Sequence, residues 1–155
     1  GGSVSGPSMV NDTWQYATSS PADVVGYGAG CAGSAGLPQL GNAPWSLPWL
    51  GDTLQVFVDA IPPGGPGALF VSSFVSTAPV ALAHLGMPGC DLLVQPEVVE
   101  FRPAVAGSAE WTLAVPNAPT LAGIPFYQQA FVTDVAANTL GLVNSNGIVV
   151  TPGIR

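Results

Sequence analysis

Few side chains in this chain could take part in catalysis, because its 155 residues include one histidine, two cysteines and no lysine. His84 has no cysteine nearby, and its nearest acidic residue in the sequence is Asp91. A metal site or a Ser-His-Asp triad would therefore need partners from distant loops. A lone histidine of this kind is usually packed or capping. We predict no catalytic residue, and we predict that the protein is not an enzyme.

Two patterns that could bind ligands lack the context they need. Gly28, Gly30 and Gly33 fit the G-x-G-x-x-G spacing of dinucleotide-binding loops, but Gly-Leu-Pro follows where a helix should begin. Four aspartates near strand ends could converge on Ca²⁺, although no D-x-D spacing supports a site. They are Asp52, Asp59, Asp91 and Asp134. We predict neither a cofactor nor a metal.

Cys31 and Cys90 lie in glycine-rich segments and have no further Cys or His at metal-ligand spacing. A disulfide between them is the economical interpretation, and two unrelated buried thiols are the alternative. Closing a loop of roughly 60 residues would stabilise the fold by about 4 kcal/mol in the chain-entropy model. A disulfide indicates an oxidising compartment, so we expect a secreted, periplasmic or cell-surface protein.

The composition limits the partners. Two Arg against nine Asp and Glu nearly exclude nucleic acid, since neutralising phosphates requires basic side chains. Only 7% of the residues are charged, against about a quarter in ordinary domains. Disorder does not explain this deficit, because 48% of the residues are hydrophobic. A folded monomer would expose large apolar patches, so we expect copies of the chain to cover one another.

The hydrophobic pattern predicts an all-β, antiparallel β-sandwich or jelly-roll-like domain over residues 26–155. Residues 60–90 carry no formal charge, but polar residues and β-branched runs in them indicate strands and not a membrane span. Alternation with a period of two predicts strands at 53–60, 68–75, 97–102, 109–115 and 124–134. A terminal hairpin is expected from 139–143 and 147–151, with its turn at the Asn-Gly step.

Residues 1–25 are predicted to form an extended N-terminal arm outside the sandwich. Val10, Trp14 and Tyr16 make an apolar patch within it, and Asn11 begins an N-glycosylation sequon. The chain has no lysine with which to protect its edge strands. We expect the arm to be donated to a neighbouring subunit, where it would cover such an edge. Folding back onto its own sheet is the alternative.

Trp45 and Trp49 flank a proline-rich turn. Aromatic side chains on the rim of a β-sandwich stack sugar rings in many carbohydrate-binding modules, so the pair is a candidate glycan platform. The alternative, which we favour here, is that both plug the open end of the sandwich or a contact between subunits, because their segment holds almost no hydrogen-bonding side chains.

The expected function is an extracellular structural subunit that self-assembles into a filament or surface layer. A secreted carbohydrate- or surface-binding module is the alternative.

Four segments carry a family resemblance: GCAGSAGLPQLG, PGCDLL, LAGIPFYQQA and LVNSNG. They resemble an uncharacterised family of secreted bacterial β-sandwich domains. That family has a G-C-x-G-S-x-G motif near its start, a G-C-x-L step, an L-x-G-x-x-F/Y-x-Q-A strand and an S-N-G hairpin. The resemblance covers about residues 26–150. It implies a secreted, disulfide-linked, all-β module and assigns no catalytic residue.

Overall fold

Residues 20–155 fold into ten β-strands in three antiparallel sheets. The computed structural model of the chain describes residues 20–155. The arm residues Val10, Asn11, Trp14 and Tyr16 lie outside this range. Within the described part, the helical segments are two short 3₁₀ turns, Ala83–Leu85 and Pro119–Leu121. None of its helices has the length and apolar character needed to cross a membrane. The predicted all-β antiparallel fold is confirmed.

The strands are distributed over sheets of five, three and two. Their bounds are β1 Asp23–Tyr27, β2 Leu40–Asn42, β3 Thr53–Val58, β4 Gly67–Ser73, β5 Ser76–Ala81, β6 Asp91–Val94, β7 Val98–Pro103, β8 Ala109–Ala114, β9 Phe126–Thr133 and β10 Leu142–Thr151. The five-stranded sheet has the order β1-β10-β9-β4-β7, the three-stranded sheet β2-β3-β8, and β5 pairs with β6. The five strands predicted from alternation lie within two residues of β3, β4, β7, β8 and β9.

The five-stranded sheet is covered on both faces, as strand β9 shows. The ring of Phe126 meets Trp111 of β8 edge-to-face, with centroids 6.4 Å apart. Gln129, three residues along, bonds to Leu93 of β6. Residues three apart on a strand point to opposite faces. The three-stranded sheet therefore packs on one face of β9 and the β5–β6 hairpin packs on the other.

The core follows the alternation read from the sequence. Leu54, Val56 and Val58 of β3 are fully buried, while their neighbours point outward. Trp111 on β8 is 5% exposed, as expected for the face it shares with Val115. Burying each such side chain contributes about 1.5–3 kcal/mol. The pairing of the three-stranded sheet with the five-stranded sheet forms the sandwich.

The predicted terminal hairpin is wrong. One continuous strand, β10, runs through residues 142–151, with a bulge between Asn144 and Gly147. The local sequence resembles a turn, but its polar side chains bond to other parts of the fold. Asn146 exchanges hydrogen bonds with the backbone of Leu40 at 2.9 and 3.1 Å, and Ser145 Oγ accepts the amide of Ala130 at 3.0 Å. Tertiary partners thus hold an Asn-Ser-Asn run in a strand.

The sheet begins earlier in the chain than the predicted domain boundary. Residues 1–25 were expected to form the arm, yet β1 starts at Asp23 and pairs with β10. Ser20 and Ile154 already exchange backbone hydrogen bonds of 3.3 and 2.8 Å. Residues 23–25 therefore belong to the five-stranded sheet, and Ser20 is already bridged to Ile154 beside it.

The predicted disulfide is confirmed. Cys31 and Cys90 are bonded, with Cα atoms 5.0 Å apart and a sequence separation of 59. The bond connects the loop after β1 to the loop before β6, and both cysteines belong to the buried core. It joins the five-stranded sheet to the hairpin layer that covers it.

We expect reduction of this bond to lower the free energy of unfolding by about 4 kcal/mol, since the open chain gains the entropy of a long loop. Urea unfolding with and without reductant measures the change. A variant carrying both Cys31→Ala and Cys90→Ala is the control. Its free energy of unfolding should be the same with and without reductant and should equal that of the reduced wild type. Equal midpoints for oxidised and reduced wild type would contradict the prediction.

Candidate functional site

An apolar groove runs along one side of the sandwich, between the outer strands of its two sheets. β7 ends the five-stranded sheet and β8 ends the three-stranded sheet. Where β7 begins, a space of about 300 Å³ is lined by Phe74, Val98, Glu100, Trp111, Leu113 and Phe126. We call this space the β7–β8 groove. A separate hollow of about 390 Å³ is lined by Phe57, Pro103, Val105, Ser108, Ala109 and Glu110. Phe57 and Glu110 are paired on the outward side of the three-stranded sheet, so this hollow is not part of the groove.

Strand β7 exposes apolar side chains on both of its faces. Val98 lines the groove and is 50% exposed, whereas Val99 and Phe101 point the other way and are 52% and 49% exposed. The sequence placed Val99 and Phe101 on one face of a strand, as the structure does. Large exposed apolar side chains along an outer strand are a common feature of interaction surfaces.

The two charges on β7 are turned toward each other and toward the groove. Glu100 accepts the Trp111 indole N–H at 2.8 Å and an Arg102 guanidinium N–H at 3.1 Å. The Trp111 hydrogen bond, with help from Arg102, lowers the pKa of Glu100 below its ordinary value, although burial acts in the opposite direction. This bond also joins β7 to β8 across the groove. The strand therefore has no free charge on its outward face to keep another strand away.

Trp45 and Trp49 both line a second concave surface. Trp45 is 77% exposed, so it does not plug the end of the sandwich. The polar groups absent from the local sequence come from elsewhere in the chain, since Asp52, Gln55 and Arg155 line the same cleft. The outward position of Gln55 on β3 could have been found from the alternation. Arg155 lies 103 residues from Asp52, and no sequence signal connects them.

The remaining candidate residues do not come together. His84 lies exposed in the first 3₁₀ turn. Asp59 accepts the backbone amide of Gln39, and Asp134 accepts that of Ser34. Among residues 20–155, no group of three or more His, Cys, Asp or Glu side chains could hold a metal ion.

The glycine pattern of residues 28–33 is explained by packing. A Cβ atom on Gly30 would lie 2.1 Å from the carbonyl oxygen of Asn144, and one on Gly33 would lie 2.4 Å from Asp134 Oδ2. Gly28 adopts a φ of +65°, which favours glycine. These residues let the disulfide loop approach β10 closely, so the spacing has a structural cause.

A scan against protein-family models, a search of curated proteins and a search of solved structures each find no match to this chain. The resemblance to secreted bacterial β-sandwich domains stays a prediction.

We expect Glu100→Gln to reduce the amount by which the unfolding free energy falls between pH 7 and pH 3. A carboxylate whose pKa is lowered on folding stabilises the protein above its unfolded pKa, and this contribution disappears as the pH falls through the lowered value. The Glu100→Gln variant and the wild type should therefore differ more in unfolding free energy at pH 7 than at pH 3.

Urea unfolding at both pH values measures this difference. Glu110→Gln, which removes a carboxylate from the exposed face of β8, is the matched control. A Glu100→Gln variant whose pH profile follows that of the control would contradict the role given to the Trp111 hydrogen bond.

Proposed function

We propose that this domain is an extracellular structural subunit that binds copies of itself through strand β7 and the β7–β8 groove, forming a filament or surface layer. The observation that carries the proposal is the apolar character of an outer strand. Val98, Val99 and Phe101 are all about half exposed, and the groove beside them is lined by further apolar side chains.

The chemistry of this surface favours another β-strand as its occupant. An added strand would receive backbone hydrogen bonds from the outer edge of β7, and its alternate side chains would fill the groove. A nucleic acid or another polyanion would find no free cation there, because Arg102 is paired with Glu100. Apolar strands of other copies suit both the surface and the low charge of the chain.

We assign residues 1–19 to the groove of a neighbouring copy, where they would add a strand to β7. Trp14 and Tyr16 are two residues apart, so both would point into the groove from an extended segment. Ser20 lies at the end of the sheet where β9 begins, and Phe126 at the start of β9 lines the groove. Each copy would donate its segment to the next copy, which is a heterologous contact. Such contacts need not close into a ring, so they would build an open polymer.

Residues 1–19 are long enough to span the distance from β1 to β7. β1 and β7 are the two outer strands of the sheet, four strand spacings apart, which is about 19 Å. Nineteen extended residues span about 60 Å. The segment is therefore long enough to reach β7 of its own sheet, and the same length would let it reach β7 of a copy that lies alongside.

The disulfide supports the extracellular part of the proposal. It is compatible with an oxidising environment, where such bonds persist. It also holds the hairpin layer to the loop after β1 by a covalent bond.

We expect Phe101→Glu to abolish polymers while the monomer stays folded. A buried carboxylate without a partner is costly in an interface, whereas a half-exposed position in the monomer tolerates it. Light scattering after gel filtration and negative-stain imaging measure assembly. Val135→Glu, at a site that is 89% exposed in the β9–β10 loop, is a control of equal charge and should polymerise. Monomeric wild type, or normal polymers from Phe101→Glu, would refute the proposal.

We expect deletion of residues 1–19 to give a subunit that does not polymerise, because its groove has no donor. A synthetic peptide of residues 1–19 should then bind this subunit, and a peptide with Trp14→Ala should bind more weakly. Fluorescence anisotropy of labelled peptides measures both affinities. Normal polymers from the deletion variant would rule out the donated strand, although β7 could still pair directly with another copy.

A further inference from the structure

A second concave surface shares no lining residue with the β7–β8 groove. Its volume is about 280 Å³, near the lower end of small-ligand sites. The side chains that matter are Trp45 and Trp49 from the proline-rich turn, Asp52, Thr53 and Gln55 from the start of β3, and Arg155. We call it the Trp45 cleft.

The Trp45 ring is held in place although it is mostly exposed. Its Nε1 donates to Gln55 Oε1 at 2.9 Å. The turn that carries it is fastened to β3 by the buried Ser46, whose Oγ accepts the amide of Gln55 at 2.8 Å and donates to the Thr53 carbonyl at 3.2 Å. A fixed indole loses little conformational entropy when a ligand stacks on it.

The other half of the cleft is polar and locally neutral. Arg155 stacks over the Trp49 ring at 5.2 Å from its centroid, and its Nη2 donates to Asp52 Oδ2 at 2.8 Å. A guanidinium has five N–H donors and a carboxylate has about four acceptor positions, so this ion pair leaves capacity for hydroxyl groups. The pair cancels its own charge and gives no preference for an ionic ligand.

We propose that the Trp45 cleft binds a neutral pyranose glycan. The C–H face of a sugar ring would stack on the exposed face of the Trp45 indole. Its hydroxyl groups would donate to Asp52 and accept from Arg155 and the Gln55 amide. The proposal stands independently of self-assembly, because the Trp45 cleft and the β7–β8 groove are separate surfaces.

Other ligand classes fit the cleft less well. A phosphate or carboxylate ligand would have to compete with Asp52 for Arg155, and the chain carries a formal net charge of −7. An apolar strand from another copy would leave the side chains of Asp52, Thr53 and Gln55 facing apolar groups, which costs free energy. A ligand with an apolar face and a rim of hydroxyl groups satisfies both halves.

The test is binding of the intact chain to an array of immobilised neutral glycans (β-glucans, xylan, mannan and galactan), with polygalacturonate as the acidic comparison. A soluble oligosaccharide of the best neutral glycan is then titrated by calorimetry. We expect Trp45→Ala to weaken binding by about tenfold or more, as loss of a contact worth about 1.4 kcal/mol would. Leu85→Ala removes an apolar side chain that is 53% exposed in the first 3₁₀ turn, outside both the cleft and the β7–β8 groove, and it should bind like wild type.

Thermal unfolding checks that both variants are folded, which is expected since Trp45 is 77% exposed. Asp52→Asn should also weaken binding, because it breaks the Arg155 ion pair. Three outcomes would overturn the proposal: no binding to any neutral glycan, binding to polygalacturonate alone, or equal affinity of Trp45→Ala and wild type. Loss of polymers in Trp45→Ala without any glycan binding would instead assign the cleft to contacts between copies.

Discussion

The side-chain amide of Gln129 joins three parts of the fold, and the stacking of the layers depends on it. Its oxygen accepts the amide of Leu93 at 3.0 Å, and its nitrogen donates to the carbonyls of Asp91 and Ser145 at 3.0 and 2.9 Å. Because Gln129 is fully buried, each of these bonds left unmade would cost about 1–3 kcal/mol. One side chain of the central strand thus fixes the hairpin above it and the bulged strand beside it.

The distribution of polar groups is unusual for a domain of this size. Amides such as Gln129 and Asn144 are inside, where backbone groups satisfy them, while the surface has few charges. Both arginines bind carboxylates of their own molecule. The surface therefore offers apolar contacts at β7 and a fixed aromatic ring at Trp45. Each of these is better suited to a specific partner than to water.

The sequence predicted the strands that have one buried face and one solvent-exposed face. β3 and β8 alternate because one face of each is buried, so their phase and nearly their bounds could be read directly. β10 could not be read in this way, because its Asn-Ser-Asn run bonds to distant parts of the fold and resembles a turn only locally. The same limit applies to the Trp45 cleft, since its Arg155–Asp52 ion pair spans 103 residues. The disulfide needed no such information, because only two cysteines were present.

The pairing of Ser20 with Ile154 determines how the domain responds to tension. Both residues lie at the same end of the antiparallel strands β1 and β10. A force that enters through the chain before Ser20 and is resisted by β10 therefore peels β1 away one hydrogen-bonded pair at a time, instead of shearing all pairs at once. Peeling can proceed only as far as Cys31, where the covalent bond to Cys90 transfers the load to the hairpin layer. Under such a force the chain would lengthen only by the segment up to Cys31. Further extension would require the disulfide-linked hairpin layer to unfold.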